Sequence, residues 1–116
     1  MSELTRKVTA QARLTYRGLS IEDATKLVDY WNKNYDEEKF YKEEIYPRGI
    51  SVKFITEEDG DEYETWPTGT YCVEFRSYVY KASCTDDLTK VSEWATEDSE
   101  RLEKLRALIK KDLNID

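Results

Sequence analysis

The sequence predicts a class α+β domain. The expected order is β-α-(α)-β-β-β-α-α, with an antiparallel-rich four-stranded sheet and helices packed on one of its faces. Three observations carry this. The stretch from Thr70 to Ala82, TYCVEFRSYVYKA, has aromatic or β-branched residues at most positions and neither Gly nor Pro. The stretch from Leu4 to Tyr16 alternates apolar with polar residues. From Thr85 onward apolar residues recur at helical spacing almost to the end.

Along a strand, successive side chains point to opposite faces. In the first of these stretches Tyr71, Val73, Phe75, Ser77 and Val79 form the expected core face, and Cys72, Glu74, Arg76, Tyr78 and Tyr80 a half-open one. In the N-terminal strand Leu4, Val8, Ala10, Ala12, Leu14 and Tyr16 face inward. Thr5, Lys7, Thr9, Gln11, Arg13 and Thr15 face outward, and Gly18 is the expected end. The two strands match in length and are expected to pair.

Ser20, with Asp23 three residues on, caps a helix whose stripe is Ile21, Ala24, Val28, Trp31 and Tyr35, widened by Leu27 and Tyr30. Asn34 is its expected stop. A second, shorter helix is expected from Asp36 to Tyr46 with Phe40, Tyr41 and Ile45 inward, because Pro47 forbids continuation. Ile50, Val52 and Phe54 alternate as a strand, and Glu58-Asp59-Gly60-Asp61 reads as a hairpin turn. A short strand from Tyr63 to Trp66 and a turn at Pro67-Thr68-Gly69 complete a meander.

The C-terminal stripe is Leu88, Val91, Ala95, Leu102, Leu105, Ile109 and Leu113, capped by Thr85 and interrupted by Asp98 and Asp112. One helix from Asp86 to Leu113 would be about 42 Å long. A compact domain of this size has no room for it, so a break is expected between Thr96 and Ser99, with a single long helix that seeds a dimer as the competing reading.

A chain of 116 residues, 39% apolar and 37% charged, is expected to form one domain with its own core. No apolar run approaches the roughly 20 residues of a membrane span, and MSELTRKV lacks a signal-peptide core, so a cytoplasmic location is expected. Cys72 and Cys84 are expected to be free thiols, since twelve extended residues span roughly 40 Å. Histidine is absent, which removes Ser-His and Cys-His nucleophile pairs and most zinc sites.

The net charge of −7 is concentrated in one place. Eleven acids and four bases lie between Asp36 and Glu64, while fourteen of each balance elsewhere. Acidic surfaces repel nucleic acid and draw in basic proteins. The candidate partner-binding residues are therefore Glu37, Glu38, Glu43, Glu44, Glu57, Glu58, Asp59, Asp61 and Glu62 for steering, with Tyr41, Tyr46 and Trp66 as anchors. They are expected to share one edge. A merely solvated face is the plain alternative.

Other sites are weaker. Asp59, Asp61 and Glu64 lack the calcium-loop spacing. Glu74-x-Arg76 resembles the Glu-x-Lys of metal-dependent nucleases, but arginine cannot serve as a base. Cys84 precedes a helix start, but Asp86 and Asp87 oppose thiolate formation. Lys7, Arg13, Arg76, Tyr78 and Tyr80 would give a stacking face for single-stranded RNA, which the overall acidity disfavours. No phosphate-binding or nucleophile motif is present and no cofactor is implied.

In composition (small, acidic, rich in tyrosine, poor in cysteine) the chain resembles phage-encoded inhibitors and bacterial immunity proteins. The expected function is a non-catalytic inhibitor or regulator that binds a protein with a basic, nucleic-acid-binding surface, with no direct contact to nucleic acid or membrane. The alternatives are a homo-oligomeric accessory protein, possible homodimer included, and, further off, a metal-dependent nuclease or a single-stranded nucleic-acid binder.

Overall fold

The computed structural model describes residues 7–83 and 88–116, with side chains from 10–81 and 90–116. Leu4, Cys84, the Thr85 cap and Asp86 lie outside the described residues. The elements are β1 (Lys7–Ala10), β2 (Arg13–Leu19), α1 (Ile21–Asn34), α2 (Glu38–Lys42), a 3-10 turn (Pro47–Gly49), β3 (Ser51–Gly60), β4 (Thr65–Arg76), β5 (Tyr80–Ser83) and α3 (Leu88–Leu113). The α+β class holds, with antiparallel pairing throughout. The single four-stranded sheet does not. A three-stranded sheet, β2-β4-β3, adjoins a separate two-stranded ribbon, β1-β5.

The division has a local cause. β1 and β2 are one stretch of chain, as are β4 and β5, and both stretches break at the same level. Between the pairs Ala10–Tyr80 and Arg13–Arg76, two residues (Gln11 and Ala12) face three (Ser77, Tyr78 and Val79). The extra residue is a bulge. Ser77 fills it: its hydroxyl accepts the Ala12 N–H at 2.9 Å, and its own N–H donates to the Ala12 carbonyl at 3.0 Å. A one-residue slip moves every later side chain to the other face. Val79, expected in the core, is therefore 49% exposed, and Tyr80 turns toward α3.

Two further expectations are corrected in the same way. Gly18 does not end its strand. It adopts φ +67° as the extra residue between the pairs Tyr16–Val73 and Leu19–Tyr71. Nor is Pro67-Thr68-Gly69 a turn. Thr68, Gly69 and Thr70 lie opposite Glu57 alone, so the expected strand at Tyr63–Trp66 is the outer end of β4. The meander becomes one long hairpin.

Its reversal comes later than expected, between Asp61 and Glu64, where the Asp61 N–H donates to the Glu64 carbonyl. The Asp61 carboxylate accepts the N–H groups of Tyr63 and Glu64 at 2.9 and 3.0 Å, and these bonds hold its pKa below the ordinary value. Gly60 is required there: at φ +142°, a Cβ would run into the Glu64 carbonyl oxygen.

α1 follows its sequence signals. Ser20 accepts the Asp23 N–H at 3.1 Å, and Ala24, Leu27, Tyr30 and Trp31 are buried, though Ile21 at the mouth of the stripe is exposed. α2 is shorter than expected because a Schellman motif ends it. Glu44 takes φ +57°, its N–H donates to Tyr41 and the Ile45 N–H to Phe40, and the Phe40 and Ile45 side chains are both fully buried.

The expected break in α3 is absent. The helix runs for 26 residues, about 39 Å, because the ribbon β1-β5 extends the surface on which it lies. The two acids in its stripe are matched from outside: Asp98 accepts the Tyr80 hydroxyl and Asp112 the Tyr30 hydroxyl, both at 2.6 Å. The molecule is correspondingly flat, 56 × 48 × 19 Å. Its radius of gyration is 17.3 Å, where a compact domain of this length has about 13 Å.

The core gathers Leu14, Tyr16, Val73 and Phe75 from the sheet, Leu27 and Trp31 from α1, Phe40 from α2, and Leu102, Leu105 and Ile109 from α3. Trp31 sits at its centre, with ring centroids 5.4 Å from Phe40 and 5.2 Å from Phe75.

Candidate functional site

Sequence placed the candidate residues on one edge; the structure divides them into two groups. Glu37, Glu38, Tyr41, Glu43, Glu44 and Tyr46 surround α2. Glu57, Glu58, Asp59, Asp61, Glu62 and Trp66 lie along the outer half of the β3–β4 hairpin. β3 runs from Ser51 to Gly60, nine residue steps or roughly 30 Å, and its outer end passes beyond the last pair of β2 with β4, Leu19–Tyr71. Acids at the tip therefore lie several screening lengths of about 8 Å from the start of β3.

The α2 group is largely tied down. Glu38 pairs with Lys42 at 3.4 Å and Glu44 with Lys104 at 3.0 Å. Tyr41 and Tyr46 pack on each other with ring centroids 6.2 Å apart, and the Arg101 guanidinium lies 5.2 Å from the Tyr46 ring centroid. This surface is half neutralised and belongs to the body.

The hairpin group differs. Both faces of β3 are exposed or half-exposed along its length, and β4 is exposed from Thr65 to Gly69, so the outer half stands clear of the core. Among the described residues, no ion pair involves Glu57, Glu58, Asp59, Asp61, Glu62 or Glu64. Glu57 instead accepts the Gly18 N–H. Two large aromatics project among these acids: Tyr63 is 88% exposed and Trp66 51%. The arrangement is a narrow acidic arm with aromatic anchors at its end. Tyr63, expected as the start of a short strand, lies in the reversal and is the most exposed large hydrophobic side chain of the hairpin.

The sheet face turned away from the helices has the opposite character. Arg13, Lys53 and Arg76 lie on it, and Arg17 acts on Cys72 there. Arg13, Lys53 and Arg76 lie around Glu74, which is bonded to Arg76 and accepts the Thr15 hydroxyl at 3.1 Å. Burial would raise the Glu74 pKa, but those two bonds and the charges of Arg76 and Arg13 outweigh it and hold the carboxyl below its ordinary value. Glu74 and Arg76, weighed above as a metal site, are thus engaged with each other. Among the described residues no three metal-ligating side chains cluster. Cys72 is free and buried, and burial pushes its thiol pKa up against the pull of Arg17.

Tyr78 and Tyr80, grouped above on one stacking face, are separated by the bulge. Tyr78 stays exposed beside Gly49 and Arg48, while Tyr80 packs on Trp94 with ring centroids 5.5 Å apart. Among the described residues, no helix is long and apolar enough to cross a membrane.

No family model, curated protein or solved structure matches this chain. The class of protein it belongs to therefore rests on its own geometry: an α+β body from which a long acidic hairpin projects.

Proposed function

We propose that this chain is a non-catalytic binding protein that inhibits or regulates a partner carrying a basic, nucleic-acid-binding surface, and that the tip of the β3–β4 hairpin is what it inserts. One observation supports this above the rest: the hairpin leaves the core with its acids unpaired by cations and with Tyr63 and Trp66 exposed among them. A two-stranded ribbon alone in water is marginally stable. Unpaired carboxylates on such a ribbon steer it toward a positive groove, and aromatic side chains are the usual source of affinity once it is seated. The α2 acids play a lesser part, because Lys42 and Lys104 already meet two of them.

The test is affinity capture from the native cell with the full chain as bait, beside a Glu58→Lys, Asp59→Lys, Glu62→Lys variant and a Trp66→Ala variant. Asp61 is left in place because it builds the reversal. The wild-type chain is expected to retain a basic protein that elutes with salt, and both variants to lose it. Capture of the same protein by all three at equal salt would remove the proposal.

A further inference from the structure

β3 is an edge strand of unusual form. Among the described residues its inner side is bonded to β4 and its outer side to nothing. It is ten residues long and contains no proline, and the extra residues of its ladder sit on β4, which leaves its outer edge regular. Edge strands of folded proteins are usually kept short, bulged, covered or charged; β3 has only the last of these, with Lys53 on its inner half and Glu57, Glu58 and Asp59 on its outer half. The middle of β3 exposes Phe54 on the helix-side face and Ile55 on the opposite face.

We infer that β3 pairs antiparallel with β3 of a second copy of this chain across a two-fold axis at Ile55, joining the two sheets into one of six strands. The argument goes beyond the hairpin-tip reading and does not depend on it. A two-fold axis perpendicular to the sheet keeps each residue on its own face, so a residue of β3 can oppose only itself or one an even number of positions away.

That condition leaves few registers. An axis at Lys53, Glu57 or Glu58 sets like charges directly against each other, which destabilises a ladder. An axis at Thr56 places Phe54 opposite a glutamate and Ile55 opposite another. An axis at Phe54 sets the ammonium of Lys53 against Ile55. With the axis at Ile55, the two Ile55 side chains meet at the centre and Phe54 meets Thr56 of the second copy. Lys53 meets Glu57 of the second copy, twice by symmetry, and the one apolar residue set against an acid is the half-buried Val52, opposite Glu58.

Among the described residues Lys53 has no ion pair within one copy, and Glu57, whose carboxylate reaches across β4 to the Gly18 N–H, exchanges that bond for the ammonium of the second copy. The same register runs the acidic end of each β3 alongside Ser51 of the other copy, whose neighbour across β4 is Arg76. Each arm thereby gains the third and fourth strands that a free ribbon lacks. The two tips emerge at opposite ends of the joined sheet.

Sedimentation equilibrium of the full chain, from low micromolar to near-millimolar concentration, is expected to show a monomer–dimer equilibrium. Lys53→Glu and Glu57→Lys should each weaken the dimer on the order of tenfold, since each turns two attractive pairs repulsive. The double variant Lys53→Glu, Glu57→Lys should restore it. In a Cys72→Ala, Cys84→Ser background, Ile55→Cys should oxidise to a disulfide-linked dimer, because residues facing each other across an axis lie within disulfide reach. Glu58→Cys should not, since its two copies would stand about 20 Å apart. A monomer at every concentration, a double variant no tighter than the singles, or equal cross-linking at both positions overturns the inference. None of these measurements involves another protein, so failure here and failure of the affinity capture are told apart.

Discussion

The two ends of β4 share one strand and one hydrogen-bonded partner, yet they live under different physics. At the inner end Val73 and Phe75 are fully buried between the helices and β2, and Phe75 touches both Tyr16 and Trp31. At the outer end Thr65 to Gly69 are exposed and touch neither the helices nor β2 in the ladder. Both ends complete a ladder, so backbone pairing alone does not distinguish them. What differs is the layer underneath. Stability is concentrated where α1 and α3 lie on the sheet, and the hairpin beyond them is free to vary without threatening the fold.

The comparison breaks most sharply at Phe75 and Trp66. Phe75→Ala should cost about 3–5 kcal/mol of folding stability, enough to unfold much of a marginal domain. Trp66→Ala should cost within about 0.5 kcal/mol, as an exposed position does. Urea denaturation followed by circular dichroism measures both, and similar losses would show that the hairpin is part of the cooperative core after all.

A smaller effect comes from pH. Burial pushes the hydroxyl pKa of Tyr80 up to about 12, with the bond to Asp98 adding to it, and burial does the same for Tyr16. Burial and the bond to Asp112 also raise Tyr30. An unfolded tyrosine ionises near 10. The folded state therefore holds these protons more tightly, and the stability they contribute is intact below about pH 10 and lost as pH rises toward about 12. All three belong to the body or its ribbon. Tyr80→Phe should flatten the alkaline decline of the urea midpoint, and an unchanged slope would show that the hydroxyl of Tyr80 is not held as described.

The most local effect is expected from Gly60→Ala. The added methyl meets the Glu64 carbonyl at a backbone angle that only glycine adopts easily. The reversal should open, seen as lost amide protection at Tyr63 and Glu64, while the unfolding free energy from urea denaturation changes by less than about 0.5 kcal/mol. A large shift in the midpoint would tie the tip to the body.

Much of the body was legible in the sequence because its signals are local. The Ser20 cap, the stripe of α1 and the alternation of β2 each lie within a few residues of what they specify. The misreadings share a cause. Glycine marks a turn and a bulge with the same letter, so Gly18 and Gly69 read as strand ends when they are kinks within longer strands. Ser77 carries no sign that its hydroxyl would seat in the ladder. The continuity of α3 depends on tyrosines remote from their aspartates in the chain (Tyr80 for Asp98, Tyr30 for Asp112), which helical periodicity cannot see. The acids of residues 36–64 are close in sequence, but a strand separates them at roughly 3.3 Å per residue. Clustering in sequence was therefore a poor guide to clustering in space.

The three tryptophans fall one to each region. Trp31 is sealed in the core, Trp66 stands on the projecting hairpin, and Trp94 lies against Tyr80 where α3 crosses the two-stranded ribbon. The intrinsic fluorescence of this chain is thus a sum of three independent reporters. Retaining one indole at a time turns a single optical measurement into a separate record of the interior, the arm and the ribbon, with no label added.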